Sequence, residues 1–236
     1  MGGIDSKLNE MKNASPKKTK IPTPRTYFPA TGWGWLLPIY DPLAKLLAKL
    51  LGGDAFLRAF VNQMSLVPGH RVLDIGCGTG TQAVLIKEYH PGVAVVGLDP
   101  DPKALARARH KAERAGVEVH FDRGFSDQLP YSDASFDRVC CTGVFSLIPP
   151  EEKETTLREV HRVLRPGGSF YLVDLFKTPR GYFLWRLVKP GLRFEVWNVD
   201  KTIAMMHQAR LINPRKTGQL PNWFWPWPLA CYQASR

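Results

Sequence analysis

The sequence predicts an α/β fold in which a doubly wound, mainly parallel sheet is finished by a C-terminal antiparallel pair of strands. Three observations carry that expectation. Between Gly69 and Leu175 short apolar runs alternate with helical patterns at the rhythm of strand-helix-strand crossovers. The first apolar run breaks into a glycine-rich turn that opens a helix. The tail ends in two strand-like runs, Lys216 to Leu220 and Leu229 to Ser235.

The elements follow in order. Strands are expected at Arg71 to Ile75, Ala94 to Leu98, Val117 to Phe121, Asp137 to Cys141 and Ser169 to Asp174, each a short apolar run bounded by turn residues. One helix starts after Asp101, which can cap it; Pro102 suits its first turn, Leu105, Ala108 and Ala112 share a face, and Gly116 stops it. A second spans about Glu151 to Leu164, with Leu157, Val160 and Leu164 inward and Pro166-Gly167-Gly168 as terminator. A third is expected around Thr202 to Leu211. In such a sheet a ligand sits at the carboxyl ends of the strands, near the switch point.

Composition narrows the class. The chain of 236 residues is 44% apolar and 22% charged, enough to bury a core and too apolar for a disordered chain. No apolar run approaches the roughly 18 to 20 residues of a membrane span, and no fixed repeat recurs. The four cysteines, Cys77, Cys140, Cys141 and Cys231, lack the spacing of a zinc site or of a disulfide scaffold, so a reducing cytosol is the expected home and no metal is expected. Cys140 and Cys141 read as core thiols.

The net charge of +11 is unevenly spread: residues 1–30 carry +4, residues 31–175 carry −1 and residues 176–236 carry +8. Tryptophan follows the same partition, with Trp33 and Trp35 early, and Trp185, Trp197, Trp223, Trp225 and Trp227 late. Four regions emerge: a flexible basic arm at 1–26, an N-terminal helical substrate segment at 27–68, a core at 69–175, and an aromatic basic lid with the closing strands at 176–236. Within the second region Leu43, Leu46, Leu47, Leu50 and Leu51 form one side of an amphipathic helix, packed on the domain edge or lying in a membrane interface.

The passage richest in chemistry is Val72-Leu73-Asp74-Ile75-Gly76-Cys77-Gly78-Thr79-Gly80. Glycines there let backbone approach a ligand and adopt dihedrals that a Cβ forbids. A dinucleotide fingerprint needs glycine at the first, third and sixth places, but the sixth place is Thr81, which disfavours diphosphate binding. Asp99 ends the second strand 19 residues beyond Gly80, where a carboxylate can accept hydrogen bonds from both hydroxyls of a ribose. Asp74 lies inside an apolar strand, where an unpaired charge is expensive. It is expected either to meet a ligand ammonium or to fix the glycine loop through backbone amides.

These motifs resemble the class I S-adenosylmethionine-dependent methyltransferases, a family with a Rossmann-like fold. The resemblance spans about residues 69–175 and rests on VLDIGCGTG, GLDPDP, LPYSDASFDRV (Leu129 to Val139) and LREVHRVLRPGG (Leu157 to Gly168). The text looks most like the branch with quinone C-methyltransferases and phospholipid N-methyltransferases, whose early segment Trp35 to Pro42 also resembles. The resemblance implies S-adenosylmethionine as cofactor. Gly76, Cys77, Gly78, Thr79 and Gly80 would pass under its methionine part, Asp74 would face its amino group, and Asp99 with Pro100 would hold the ribose. Gly124-Phe125-Ser126-Asp127 stands where relatives have a short acidic turn gripping adenine, so Phe125 would pack on the base and Ser126 would offer a backbone hydrogen bond. Thr142 would line the donor pocket.

Many relatives carry paired histidines after the fourth strand, where this chain reads Val144-Phe145-Ser146-Leu147. Methyl transfer from a sulfonium can proceed on alignment alone. Tyr40 and His207 are the candidates for a catalytic group. Trp33, Trp35, Tyr40, Tyr182, Trp185, Trp223 and Trp225 are candidates for the acceptor wall. The reading is a methyltransferase acting on a small or lipid-like acceptor, an amine, phenol, quinol or thiol. The basic aromatic insertion from Phe176 to Asn198 suits either an anionic membrane surface or a closed lid. Cytoplasmic placement with peripheral membrane contact follows. Nucleic acid competes for the same residue types, but no RNA-binding module is recognisable. An RNA or protein methyltransferase and a non-catalytic cofactor-binding regulator are the alternatives, and the oligomeric state is not legible.

Overall fold

A computed structural model describes residues 53–175, 198–219 and 229–236. Helix α1 (Gly53–Gln63) leads into β1 (Arg71–Ile75), α2 (Thr81–Tyr89), β2 (Ala94–Asp99), α3 (Pro102–Ala115), β3 (His120–Arg123) and β4 (Phe136–Thr142). A 3-10 turn (Phe145–Leu147) then precedes α4 (Pro150–Val163), β5 (Leu164–Leu175), α5 (Val199–Gln208), β6 (Ile212–Gln219) and β7 (Leu229–Ser235). The seven strands form one sheet in the order β3-β2-β1-β4-β5-β7-β6. Strands β1 to β5 run parallel to one another, and β7 runs antiparallel to both β5 and β6. The order reverses between β1 and β4, which makes the carboxyl ends of those strands the switch point.

The parallel strands are buried on both faces, as their near-continuous apolar sequence requires. One face packs Leu73, Ile75, Val139, Phe170 and Leu172 against Leu157 and Val160 of α4 and Met205 and Met206 of α5. The other packs Val72, Val95, Phe121 and Tyr171 against Phe60 and Met64 of the α1 region, Val84 and Ile86 of α2, and Leu105 and Ala108 of α3. Phe60 meets Tyr171 edge to face at 6.3 Å between centroids, a pairing worth about 0.5–1.5 kcal/mol beyond area burial. Because α1 supplies this cluster, the packed core reaches back before residue 69.

Most expected elements fall where the pattern put them, and the differences have physical causes. Asp101 accepts from Lys103 N at 2.9 Å and caps α3, while Gly116 ends it at φ +65°. The third strand starts at His120 rather than Val117, because Val117 N is still engaged by Ala112 O at the helix end. The fifth begins at Leu164, which pairs with Phe136 ahead of an irregularity, so α4 stops at Val163 and Pro166-Gly167-Gly168, expected as its terminator, falls inside the strand. The expected helix at 202–211 is α5, displaced three residues earlier by the Asn198 cap, whose side chain accepts from Lys201 N. The arm at 1–26, the amphipathic helix near Leu43 to Leu51 and most of the basic insertion lie outside the described residues.

Candidate active site

The glycine loop is hooked onto the end of β2. Gly76 N and Cys77 N both donate to Leu98 O, at 2.7 and 3.1 Å, and Gly80 N closes the turn on Cys77 O at 2.8 Å. Gly76, Gly78 and Gly80 have φ of +69°, +53° and +74°, in the left-handed region that side chains rarely adopt. At Gly76 space is restrictive as well, since a Cβ would lie 2.6 Å from both methyl groups of Val144. The segment after β4 is thereby pressed against the loop. Lys111 of α3 fixes the loop's outer rim, donating to Thr79 Oγ1 at 3.0 Å and Thr81 Oγ1 at 2.7 Å.

Asp99 organises the same loop. Its Oδ2 accepts from Gly78 N at 2.9 Å and its Oδ1 from Asp101 N at 2.8 Å. Burial holds its carboxyl above the ordinary range, and those two backbone donors offset only part of that rise. Each oxygen retains a further lone pair, so one carboxylate can hold the loop and accept from a diol. Pro100 follows it, half-buried, with its carbonyl receiving Arg123 Nε at 3.1 Å.

Asp74 behaves differently. It is 2% exposed on the face covered by α1, α2 and α3, and its Oδ1 lies 3.7 Å from the Cys140 thiol. Its Oδ2 is buried with no hydrogen-bond partner among the described residues. Burial above all, with the nearby charge of Asp99, raises its pKa to about 7, against the pull of Cys140. Of the two roles open to Asp74 from sequence, fixing the glycine loop falls to Asp99. Two further buried acceptors near it are unpartnered among the described residues: Gln82 Oε1 at the start of α2 and Thr142 Oγ1 at the end of β4. Strand register sets Asp74 beside Cys140, two residues before Thr142. Three acceptors in search of donors fit a ligand ammonium, so the residues present suit the methionine end of S-adenosylmethionine.

The turn after β3 borders this loop through Gly124 N, which donates to Asp99 O at 3.2 Å. Phe125 is half-buried there. The Ser126 hydroxyl is 3.0 Å from Thr156 Oγ1 of α4. Cys77, Cys140 and Cys141 are buried thiols pushed well above their ordinary pKa by desolvation, as core packing requires.

The structure does not bring His207 to this site. It is exposed on the last turn of α5, which leads into the start of β6. Ile212 pairs with Ser235, which pairs with Ser169, at the amino edge of the sheet, opposite the glycine loop. Tyr40, Trp33, Trp35, Tyr182, Trp185, Trp223 and Trp225 lie outside the described residues.

Sequence reading missed Gln82, Lys111 and Asp174. Asp174 is 4% exposed at the carboxyl end of β5, and its Oδ2 accepts a hydrogen bond from Ser146 N. Gly143 N donates to Val173 O at 2.7 Å beside it. The signal available was a carboxylate closing the apolar run of β5. Asp174→Ala strands a buried N–H, a loss of about 1–3 kcal/mol. A melting temperature lower by roughly 2–10 °C is expected, with most of it restored in Asp174→Asn. An unaltered melting temperature would remove Asp174 from this role.

Comparison with known proteins agrees with the geometry. A family described as a methyltransferase domain matches residues 72–168, which contain the glycine loop, Asp99 and Thr142. An uncharacterized methyltransferase from Synechocystis is 33% identical over 155 residues, covering 65% of this chain and 70% of that protein. A demethylmenaquinone methyltransferase from Thermus thermophilus is 38% identical over 149 residues, 63% of this chain and 66% of that one. Among solved structures, the apo form of the S-adenosylmethionine-dependent methyltransferase SibL superposes with a TM-score of 0.67 at 23% identity, covering 91% of this chain and 63% of that one, which speaks to the fold. The glycine loop, the carboxylate ending β2 and the similarity to known methyltransferases agree: the chain belongs to the class I S-adenosylmethionine-dependent methyltransferases.

Proposed function

We propose that this methyltransferase acts on a small lipophilic acceptor of the quinol type, held over the carboxyl edge of the sheet and reached from a membrane surface. The observation that carries the acceptor reading is the similarity to demethylmenaquinone methyltransferases from Thermus, Deinococcus and Chlorobaculum at 34–38% identity. Bound at the switch point, the cofactor supplies a methyl group already activated as a sulfonium. Asp74 meets its ammonium, Gly76, Cys77, Gly78, Thr79 and Gly80 pass beneath its methionine part, and Asp99 and Pro100 hold the ribose. Phe125 covers the adenine while the Ser126 backbone bonds its edge, and Thr142 borders the donor pocket.

The segment after β4 shapes the transfer. Val144 presses on Gly76, and Phe145 and Ser146 are buried beside Asp174 and Lys153, so a packed wall without an imidazole stands where many relatives carry histidines. Alignment in such a wall suits a quinol already ionised to its phenolate, whose ring carbon takes the methyl group and whose ring proton is then released to solvent. Residues 176–236 carry +8 and five of the seven tryptophans, a composition that suits contact with an anionic membrane. No helix among the described residues is long and apolar enough to cross a bilayer, so any contact through them is peripheral.

Methyl-labelled cofactor tests this reading, with a demethylated hydroquinone in anionic vesicles offered beside bulk RNA and protein. Label is expected in the organic extract, increasing when vesicles are present. Label in RNA or protein alone would replace the acceptor class, and tight cofactor binding with no turnover on any acceptor would indicate a regulator.

A further inference from the structure

We propose that Gln82 is a specificity-determining residue of the cofactor site, reading the amino-acid end of the ligand together with Asp74. The inference rests on the cofactor reading above and adds a residue to it. Gln82 is the second residue of α2, immediately past the glycine loop, and is 7% exposed. Its position in the first turn sends the side chain inward toward β4, where Nε2 donates to Cys140 Sγ at 3.2 Å. The same sulfur lies 3.7 Å from Asp74 Oδ1. One buried thiol thus holds a neutral amide on one side and a carboxyl on the other.

Each of those groups keeps one oxygen buried and without a partner among the described residues, Gln82 Oε1 and Asp74 Oδ2. Folded proteins leave very few buried acceptors in that condition, and two flanking one atom point to donors that a ligand brings. An ammonium carries three N–H donors. Asp74 Oδ2 and Gln82 Oε1 can take two, and Thr142 Oγ1, the third buried acceptor without a partner, lies two residues beyond Cys140 on the same strand. A carboxylate alone attracts any cation, whereas a carboxylate with a neutral amide oxygen selects one bearing several directed N–H groups. Were Gln82 only filling space against Cys140, an apolar residue of similar volume would serve as well.

The test compares S-adenosylhomocysteine, which has the amino-acid end, with 5′-methylthioadenosine, which lacks it, by calorimetry on the full chain. Gln82→Leu is expected to weaken S-adenosylhomocysteine about tenfold and to leave 5′-methylthioadenosine within about twofold, since only the first brings the ammonium. Asp74→Asn, measured in parallel, should show the same selectivity more strongly. If Gln82→Leu melts early, Gln82→Asn shortens the reach by one carbon while keeping the amide, and should show the same selective loss. Unchanged or equal losses for both ligands in the Gln82 variants, with Asp74→Asn still selective, would overturn the role of Gln82. Loss of selectivity in Asp74→Asn as well would overturn the placement of the methionine end itself.

Discussion

Replacing Asp99 with alanine is expected to weaken S-adenosylmethionine binding by at least about two orders of magnitude while the fold persists. The carboxylate sits at the end of β2 and accepts from Gly78 N and Asp101 N. In the proposed complex it also accepts from the ribose. Hydrogen bonds to a charged group are worth about 1.5–3 kcal/mol each, and about 1.4 kcal/mol is a factor of ten in affinity. Two lost ribose bonds therefore reach a hundredfold before any loosening of the loop is counted. The loop does loosen, because Gly78 N loses the acceptor that sets its direction. Asp99→Asn should recover little, since one of its two terminal atoms becomes a donor facing an N–H that needs an acceptor. Neither hydrophobic cluster counts this side chain among its members, so cooperative unfolding should remain. Calorimetry on the variant decides the matter: unchanged affinity would place the ribose elsewhere.

The contrast between Asp74 and Asp99 shows how far sequence reaches. Strand positions were legible because buried parallel strands impose apolar runs, and Asp99 was legible because its distance from the glycine turn is fixed by one crossover helix. The division of labour between the two carboxylates was not. It depends on which backbone amides curl toward which oxygen, a property of loop dihedrals that no spacing records. Gln82 was hidden for a similar reason, since a glutamine beside alanine and valine in a helix looks like a solvent-facing residue until the helix is docked. His207 erred in the opposite direction. Its residue type suggested chemistry, but the antiparallel return of β7 and the start of β6 carry the end of α5 to the far edge of the sheet. The third strand slipped because apolar Val117 and Val119 pack against the core before pairing begins at His120. Burial and pairing give the same alternation in sequence.

Cofactor affinity is expected to fall as pH drops below about 7, through Asp74. Its neighbours are the Cys140 thiol, neutral over this range, the uncharged Gln82 and the Asp99 carboxylate, whose charge adds to the effect of burial. With its pKa raised to about 7, Asp74 in the ligand-free protein holds a proton that the unfolded chain has released by pH 5. The sign follows: the native state binds more protons than the unfolded state between about pH 4 and 7, so stability from this group is present at low pH and is lost as pH rises through 7. A ligand ammonium reverses the preference, because it favours the carboxylate. Binding below pH 7 must then expel one proton, and the dissociation constant should rise about tenfold per pH unit, or roughly a hundredfold between pH 7 and pH 5. Titration of S-adenosylhomocysteine in two buffers of different ionisation enthalpy reads the proton directly. Asp74→Asn should bind weakly with no such slope, and 5′-methylthioadenosine should show none with the native protein. A dissociation constant flat from pH 5 to 7.5 would separate Asp74 from the ammonium, and the unpartnered oxygen on β1 would then need another donor.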